Sequence, residues 1–380
     1  MRHSEFAVAH LRARVEAAGG WLSFEQWMSH ALYAPGLGYY AAGNIKFPTA
    51  GSSGMPQGDF VTAPELTPMF AQTLAEQVAE VLEQTRLAGH APRILEFGAG
   101  TGALAADTLS ALDTLGIPVQ YFILEVSDDL TAVQQRRLAP FGDRVQWLSA
   151  LPTTFSGCVL ANEVMDAMPV TTFTFGPNGE MLERGVSWDA TENRFVWRDR
   201  PADAALIAVV KDRVPAMPGY TSEINLQAEA WIRSMSSWLS LGAALLIDYG
   251  FPQSEYYHPQ RAGGTLMAHL RHHAHDDVLA VPGIQDITAH VDFTAMAQAA
   301  LDSGLDLLGY TSQARFLLNA GIARHLGSST DPAAQMAAFG AFNKLTSEAE
   351  MGELFKVLAI GRGINAPLSG FALRDRRHLL

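Results

Sequence analysis

The stretch Ile94-Leu95-Glu96-Phe97-Gly98-Ala99-Gly100-Thr101-Gly102 decides the fold of this 380-residue chain. Its apolar first half predicts a buried strand, and its glycines predict a tight turn into the helix that follows. Such a turn leaves backbone N–H groups at the start of the helix, and glycine lets a ligand approach them without a Cβ in the way. The stretch therefore predicts a nucleotide-binding loop in an α/β protein.

Strand and helix patterns alternate on the carboxyl side of this loop. The apolar periodicity predicts helices at 103–115 and 128–138 and strands at 119–126, 145–148 and 158–161. Strands separated by helices of this length indicate βαβ units, so we expect a doubly wound, mostly parallel sheet. Three later strands are predicted to complete the sheet, at 243–248, 305–310 and 356–360.

The pattern divides the chain into four segments. Residues 1–90 are predicted to form a helical extension, with helices at 1–35 and 64–87 around a glycine-rich loop. Residues 91–170 form the half of the sheet that carries the cofactor loop. Residues 171–240 are an inserted antiparallel β-meander with helices, because period-two apolar pairs flank turn signals. Residues 241–380 complete the sheet and include an irregular lid loop at 249–286.

Composition narrows the classes of function. The net charge of −13 gives no basic surface for nucleic acid, so a nucleic acid substrate is not expected. Cys158 is the single cysteine, which rules out an intramolecular disulfide and points to a reducing compartment, by default the cytoplasm. No apolar run approaches the roughly 20 residues of a membrane span, so none is expected.

A histidine-rich segment lies within the predicted lid. It contains His269, His272, His273 and His275, followed by Asp276 and Asp277. The spacing suggests a metal site at first sight. A polar lid is the simpler interpretation, and we predict no metal.

Two acidic residues bear on the identity of the cofactor. Glu96 directly precedes the glycines, where a carboxylate suits the cationic amino-acid end of S-adenosylmethionine and would repel a pyrophosphate. Glu125 ends the next strand, where it can accept hydrogen bonds from ribose hydroxyls in either kind of cofactor. Gly98, Gly100 and Ala103 also fit the dinucleotide fingerprint. The charge of Glu96 favours S-adenosylmethionine, and a nicotinamide-dependent oxidoreductase stays open as an alternative.

Polar residues also end the strand at 158–161. Asn162, Glu163 and Asp166 follow it at the carboxyl edge of the sheet, where open α/β sheets bind ligands. A methyl donor and its acceptor would meet there. A solvated turn with a helix cap is the structural alternative for Glu163 and Asp166.

With these residues in view, the chain resembles the MidA family of S-adenosylmethionine-dependent methyltransferases over nearly its whole length. The glycine loop is a weak sign, and family members commonly carry proline and arginine where this loop has Ala99 and Thr101. More restrictive are the following segments: Gly58-Asp59-Phe60-Val61-Thr62-Ala63-Pro64-Glu65, Ala161-Asn162-Glu163 to Asp166-Ala167, Ile247-Asp248-Tyr249-Gly250, Ala289-His290-Val291-Asp292-Phe293 and Met351 to Leu358.

The resemblance implies a class I methyltransferase sheet and S-adenosylmethionine as cofactor. Eukaryotic members work in mitochondria as protein-arginine methyltransferases in respiratory complex I assembly, so it implies an arginine side chain of a protein partner as acceptor. A cofactor-binding assembly factor with little turnover remains an alternative. The oligomeric state stays open, a dimer included.

The resemblance and the sheet edge together define the expected site. The residues expected to act on the substrate are Glu163, Asp166, Asp248 and Tyr249. Those expected to bind the cofactor are Glu96, Gly98, Ala99, Gly100, Gly102, Glu125, Val126, Ser127, Asn162, Glu163, Asp59, Thr62 and Pro64. Carboxylates near a guanidinium could clamp it and take up the proton that it loses.

Overall fold

The computed structural model describes residues 2–41, 62–270, 273–327 and 331–380. The helices are α1 (Arg2–Ala17), α2 (Phe24–Tyr33), α3 (Ala63–Leu66), α4 (Pro68–Leu87), α5 (Ala103–Thr114), α6 (Asp128–Leu138), α7 (Ala204–Arg213), α8 (Leu226–Trp238), α9 (Gln253–Tyr256), α10 (Phe293–Asp302), α11 (Gln313–Asn319), α12 (Pro332–Thr346) and α13 (Met351–Leu354). The strands are β1 (Leu22–Ser23), β2 (Arg93–Phe97), β3 (Gln120–Leu124), β4 (Val145–Leu148), β5 (Phe155–Asn162), β6 (Thr171–Phe175), β7 (Met181–Asp189), β8 (Arg194–Pro201), β9 (Thr221–Ile224), β10 (Leu239–Phe251), β11 (Met267–Leu270), β12 (His273–His275), β13 (Asp286–Thr288), β14 (Val291–Asp292), β15 (Asp306–Ser312) and β16 (Phe355–Arg362).

The chain divides into two compact units, each built from three segments. The first unit comprises Met1–Phe60, Met165–Glu229 and Phe251–Asp292. The second unit comprises Val61–Val164, Ala230–Gly250 and Phe293–Leu380. Each unit has its own buried apolar core. No helix in the described part of the chain is long and apolar enough to cross a membrane.

The second unit contains the predicted α/β sheet. Its strands lie in the order β15-β16-β10-β5-β2-β3-β4, and β10, β5, β2, β3 and β4 run parallel to one another. Strand β16 is antiparallel to both β10 and β15. The order steps outward in both directions from β2 and β5, as expected for a doubly wound sheet, so the predicted fold class is confirmed. Strand β2 is central, and Ile94 and Leu95 within it are fully buried.

The first unit contains the predicted meander. Strands β6, β7 and β8 pair antiparallel in sequence, and β9 and β1 extend the same sheet. The joining of β1 was not predicted, because two residues are too few to show a periodicity. Residues Trp27 and Phe195 meet edge to face in the adjoining core, with 5.9 Å between their ring centres.

Three predicted elements are wrong in their extent. The predicted helical stretch at 1–35 is interrupted between α1 and α2 by β1. The predicted helix at 64–87 is broken at Thr67, whose ψ of 143° is extended, because Pro68 disfavours the helical conformation in the residue before it. The predicted irregular loop at 249–286 instead begins with the last residues of β10 and contains α9 and the sheet β12-β11-β13. These strands are three or four residues long, too short for a pattern to reveal.

Two glycines allow β5 and β10 to approach each other closely where they begin. Gly157 and Gly242 are partners in the parallel register, with φ of 150° and 140°. A Cβ placed on Gly242 would lie 1.8 Å from the carbonyl oxygen of Gly157. That atom belongs to the backbone of a central strand and cannot move aside cheaply.

We expect Gly242→Ala to lower the free energy of unfolding by about 3 kcal/mol or more. The matched control is Gly116→Ala, since Gly116 has a φ of 73° but open space around its missing Cβ. The control should cost only the left-handed backbone strain, about 1 to 2 kcal/mol. Urea unfolding of the three proteins measures both values, and equal losses in the two variants would contradict the steric explanation.

Candidate active site

Four neighbouring strands bring the predicted site residues to one edge of the second unit's sheet. The registers align Ile247 with Asn162, and they align Phe97 with both Ala161 and Leu124. Parallel strands end at the same edge, so the residues that follow lie side by side there. They are Asp248, Glu163, Gly98 and Glu125.

The glycine loop has the backbone conformation that its sequence predicts. Gly98, Gly100 and Gly102 have φ of 62°, 54° and 81°, a region that side chains disfavour. The amide of Gly98 donates to the carbonyl of Leu124 at 3.0 Å, which ties the loop to the end of β3. A Cβ on Gly100 would meet nothing within 4 Å. The loop therefore borders open space at Gly100, as a ligand cradle requires.

Glu96 is a buried carboxyl at the end of β2. Its side chain is 2% exposed, and the Tyr121 hydroxyl donates to its Oε2 at 2.8 Å. The pKa of Glu96 is raised to about 8, chiefly by burial; the Tyr121 hydrogen bond opposes this rise and nearby Glu125 adds to it. At neutral pH the carboxyl is therefore mostly protonated unless a cation lies beside it. Glu96 therefore carries the negative charge expected from the sequence only when a cationic ligand lies beside it.

Glu125 lies at the end of β3 with its carboxylate fixed by three donors. The backbone amides of Val126 and Ser127 reach Oε1 at 2.9 and 3.0 Å, and the Gln134 amide reaches Oε2 at 2.9 Å. Burial raises the pKa of Glu125, and these hydrogen bonds oppose the shift. Val126 is 75% exposed, which leaves an apolar side chain at the surface beside the carboxylate. The Ser127 hydroxyl caps α6 by accepting from the Leu130 amide at 3.4 Å.

Glu163 follows β5 in a strained backbone conformation. Its φ of 54° is left-handed, which is uncommon for a residue other than glycine. Its amide donates to the carbonyl of Ile247 at 2.9 Å, and the Asn162 side chain donates to its Oε1 at 3.0 Å. A Cβ on Gly98 would lie 3.2 Å from the side chain of Val164. The Glu163 segment and the glycine loop are therefore in close contact.

The remaining candidates for acting on the substrate belong to both units. Asp248 is fully buried in β10, and its Oδ1 accepts from the Tyr249 amide at 2.9 Å. Tyr249 belongs to the apolar core of the second unit, where its ring lies edge to face with Phe355 at 5.4 Å. Asp166 belongs to the first unit, where its carbonyl accepts from the Ala289 amide at 2.9 Å. Only Asp248 and Tyr249 thus share the second unit with Glu163.

The Gly58 to Glu65 motif is partly outside the described residues, and Asp59 lies there. Thr62 precedes α3, and Pro64 is buried within it. The side chain of Glu65 contacts the Thr101 hydroxyl of the glycine loop and lies 3.1 Å from Arg137 of α6. Pro64, Glu65 and Arg137 line a cavity of about 220 Å³ together with Asp107. The described end of the motif therefore contacts the glycine loop through Glu65 and Thr101.

Two residues of α6 were missed by the sequence analysis. Gln134 and Arg137 lie one turn apart and donate to the carbonyls of Gly100 and Thr101, at 2.9 and 3.4 Å. A glutamine and an arginine on an amphipathic helix are typical of a solvent-exposed face, so no sequence signal distinguished them.

The structure describes three of the four histidines in the histidine segment, His269, His273 and His275. Among the residues that the structure describes, no group of three or more His, Cys, Asp or Glu side chains is arranged to hold a metal ion. His272 lies outside those residues. His290 stacks on Phe251 in the first unit, with 5.3 Å between the ring centres.

Residues 73–311 match a family of S-adenosyl-L-methionine-dependent methyltransferases. A curated relative from Danio rerio, named protein arginine methyltransferase NDUFAF7, mitochondrial, is 29% identical over 92% of this chain and 86% of its own length. The Homo sapiens protein of the same name is 27% identical over 92% of this chain and 82% of its length.

One solved structure from Burkholderia thailandensis is similar over the whole chain. It is 48% identical, covers 100% of this chain and 97% of its own, and superposes with a TM-score of 0.92. It was solved bound to S-adenosyl-homocysteine, the product that S-adenosylmethionine leaves after methyl transfer.

We expect Gly100→Ala to weaken S-adenosylmethionine binding at least about tenfold, because the new Cβ enters the open space at the loop. Gly116→Ala carries the same kind of backbone strain away from the loop and should leave the affinity unchanged. Calorimetric titration of both variants tests this. An unchanged dissociation constant in Gly100→Ala would remove the loop from the cofactor site.

We also expect cofactor affinity to depend on pH through Glu96. Below pH 8 the free protein holds this carboxyl protonated, and a bound ammonium favours the carboxylate, so binding releases a proton. Affinity should rise with pH, by up to about tenfold per unit, and level off near pH 8. Calorimetry across pH 6 to 9 should show this, and Glu96→Gln should keep only the titration of the ligand's own amine. Identical profiles in the two proteins would contradict the assignment.

Without ligand, the same carboxyl should make stability pH-dependent. Its pKa in the folded protein is raised from 4.5 to about 8, so its contribution is fully present below pH 4.5 and is lost as the pH rises through 8. Glu96→Gln should remove that decline in the free energy of unfolding. Denaturant unfolding of both proteins across the same pH range therefore serves as the control for the binding experiment.

Proposed function

The chain belongs to the family of S-adenosyl-L-methionine-dependent methyltransferases, and we propose that it methylates an arginine side chain of a protein partner. The observation that carries the proposal is the left-handed backbone of Glu163, a carboxylate next to Val164, whose side chain lies against Gly98 of the glycine loop. Strained residues of this kind persist where the surroundings enforce them, commonly at active sites. The names of the relatives from Danio rerio and Homo sapiens agree with an arginine acceptor.

The residues present fit the cofactor. Glu96 is a buried carboxyl that is ionised most readily beside a cation, which suits the ammonium of the methionine part. Glu125 offers an oriented carboxylate for the ribose hydroxyls, and the loop at Gly100 leaves room beside its backbone. Residues 73–311 match a family of S-adenosyl-L-methionine-dependent methyltransferases, and this match, rather than the charge of Glu96, favours that cofactor over a nicotinamide dinucleotide.

Methyl transfer requires mainly that the acceptor nitrogen is aligned with the methyl group. When bound, S-adenosylmethionine supplies a methyl group on a sulfonium, which an in-line nucleophile can take without strong acid or base catalysis. Glu163 would hold the acceptor guanidinium, because a carboxylate matches the two parallel N–H groups of arginine. The Asn162 amide fixes one oxygen of that carboxylate at 3.0 Å and so fixes its orientation. The acceptor nitrogen loses a proton, and Glu163 or solvent takes it up.

Asp248 is the second carboxylate proposed for this edge. It lies in the strand next to β5, one position beyond Ile247, whose carbonyl receives the Glu163 amide. It is fully buried, so it would orient neighbouring groups rather than meet substrate from solvent. Asp166 and Tyr249 remain predictions from the family resemblance, and the cytoplasmic location likewise remains a prediction.

The acceptor is identified by the methylated residue itself. We would incubate the protein with radiolabelled S-adenosylmethionine and extract from cells lacking it, then hydrolyse the labelled proteins. Label in methylarginine is the expected result. Label in methyllysine, or only in small molecules, would contradict an arginine acceptor while leaving the methyltransferase assignment intact.

Glu163→Gln keeps the shape of the side chain but removes its charge. We expect the methylation rate constant to fall about 100-fold or more, with cofactor affinity within a few-fold of normal. Glu83→Gln is the control, since Glu83 is an exposed carboxylate on α4 paired with Arg86. Unchanged turnover in Glu163→Gln would remove Glu163 from the reaction. Cells that tolerate an inactive Glu163→Gln protein would favour the assembly-factor alternative.

A further inference from the structure

Gln134 is a buried polar side chain between the two halves of the predicted cofactor site. It lies on α6 and is fully buried, although an amide in an apolar environment is costly unless its hydrogen bonds are made. Its Nε2 donates to the Gly100 carbonyl and to Glu125 Oε2, both at 2.9 Å. Its Oε1 accepts from the Trp147 indole at 2.9 Å. The amide therefore joins the glycine loop, the Glu125 carboxylate and strand β4.

The chemistry of the three partners fixes which way the amide faces. The indole of Trp147 can only donate, so the atom facing it must be oxygen. The Gly100 carbonyl and an ionised Glu125 can only accept, so the atom facing them must be nitrogen. A methionine would fill a similar volume, but it could make none of these bonds.

Packing holds Gln134 against the loop as well. A Cβ on Gly102 would lie 3.5 Å from both the Cα and the Cγ of Gln134. These are ordinary van der Waals distances, so Gln134 lies directly against the loop at Gly102. The position of the loop and the position of Glu125 are then set by one side chain.

We propose that Gln134 is a positioning residue that aligns Glu125 for the ribose diol and ties that alignment to the glycine loop. The inference rests on the proposed function, in which Glu125 binds the ribose hydroxyls. Backbone amides hold one carboxylate oxygen, and Gln134 holds the other, so the rotation of the carboxylate is fixed before the ligand arrives. Such prior alignment strengthens binding because less conformational freedom is lost on association.

The test compares S-adenosylhomocysteine with its 2′,3′-dideoxy analogue by calorimetry on the full-length protein. Wild type should prefer the natural ligand about 100-fold, since two hydrogen bonds to a carboxylate are lost in the analogue. Gln134→Met should reduce this preference to about tenfold or less. A merely structural role would weaken both ligands equally and leave their ratio unchanged.

Gln77→Met is the matched control. Gln77 is also a fully buried glutamine of the second unit, where it bonds Glu80 at 2.7 Å and the Gly370 amide at 2.7 Å. Its loss should affect stability in a similar way and leave the ligand preference at the wild-type value. A reduced preference in this variant as well would overturn the proposal.

Gln134→Glu gives an independent readout if the methionine variant fails to fold. A protonated glutamic acid has one O–H and can donate to Glu125 but not to the Gly100 carbonyl as well, whereas the ionised form repels Glu125. The ligand preference should therefore be low at pH 8 and partly restored at pH 5.5. A preference that matches wild type at both pH values would overturn the role of Gln134. Absence of any preference in wild type would instead show that Glu125 does not bind the diol, and the assignment of Glu125 would fail first.

Discussion

The parallel pairing of β2 with β3 on one side and β5 on the other is the constraint on which the site depends. Because the three strands end at one level, their following residues meet at one edge without any long loop to place them. The Gly98 amide continues this pairing by one further bond to Leu124. The cofactor loop is thus an extension of the sheet, and its glycines allow the chain to turn from that fixed point into α5.

Two buried glutamates show how hydrogen-bond partners distinguish a structural carboxyl from one suited to bind a ligand. Burial raises the pKa of both Glu96 and Glu223, which are 2% and 1% exposed. Glu223 accepts from the Thr265 amide and hydroxyl and from the Tyr256 hydroxyl, so its bonds tie segments of the first unit together. Within the described residues, Glu96 accepts one hydrogen bond, from Tyr121. A buried carboxyl with so few hydrogen bonds is suited to ionise when a cation binds beside it.

The sequence predicted those parts of the fold that local pattern determines. Helix α6 begins and ends where predicted, because Ser127 caps it and apolar residues mark its buried face. The position of the site at the sheet edge was predicted from where the strands end, because open parallel sheets bind ligands at the carboxyl ends of their strands. The short strands β11, β12 and β13 were not predicted, because three or four residues are too few to show an alternating pattern. The helix break at Thr67 could have been predicted, because Pro68 follows it and disfavours the helical conformation.

Site residues could be predicted where the residue type itself indicates the chemistry. They could not be predicted where the function depends on which partners the residue contacts. Glycines and acidic residues at strand ends indicated a loop and two carboxylates. The left-handed φ of Glu163 had no sequence signal, because it arises when its amide bonds Ile247 of the neighbouring strand. Gln134 had none either, since its role consists of three bonds to three separate elements. Residues that position other residues are defined by their tertiary contacts. A cofactor site therefore depends on more residues than those in its sequence motif.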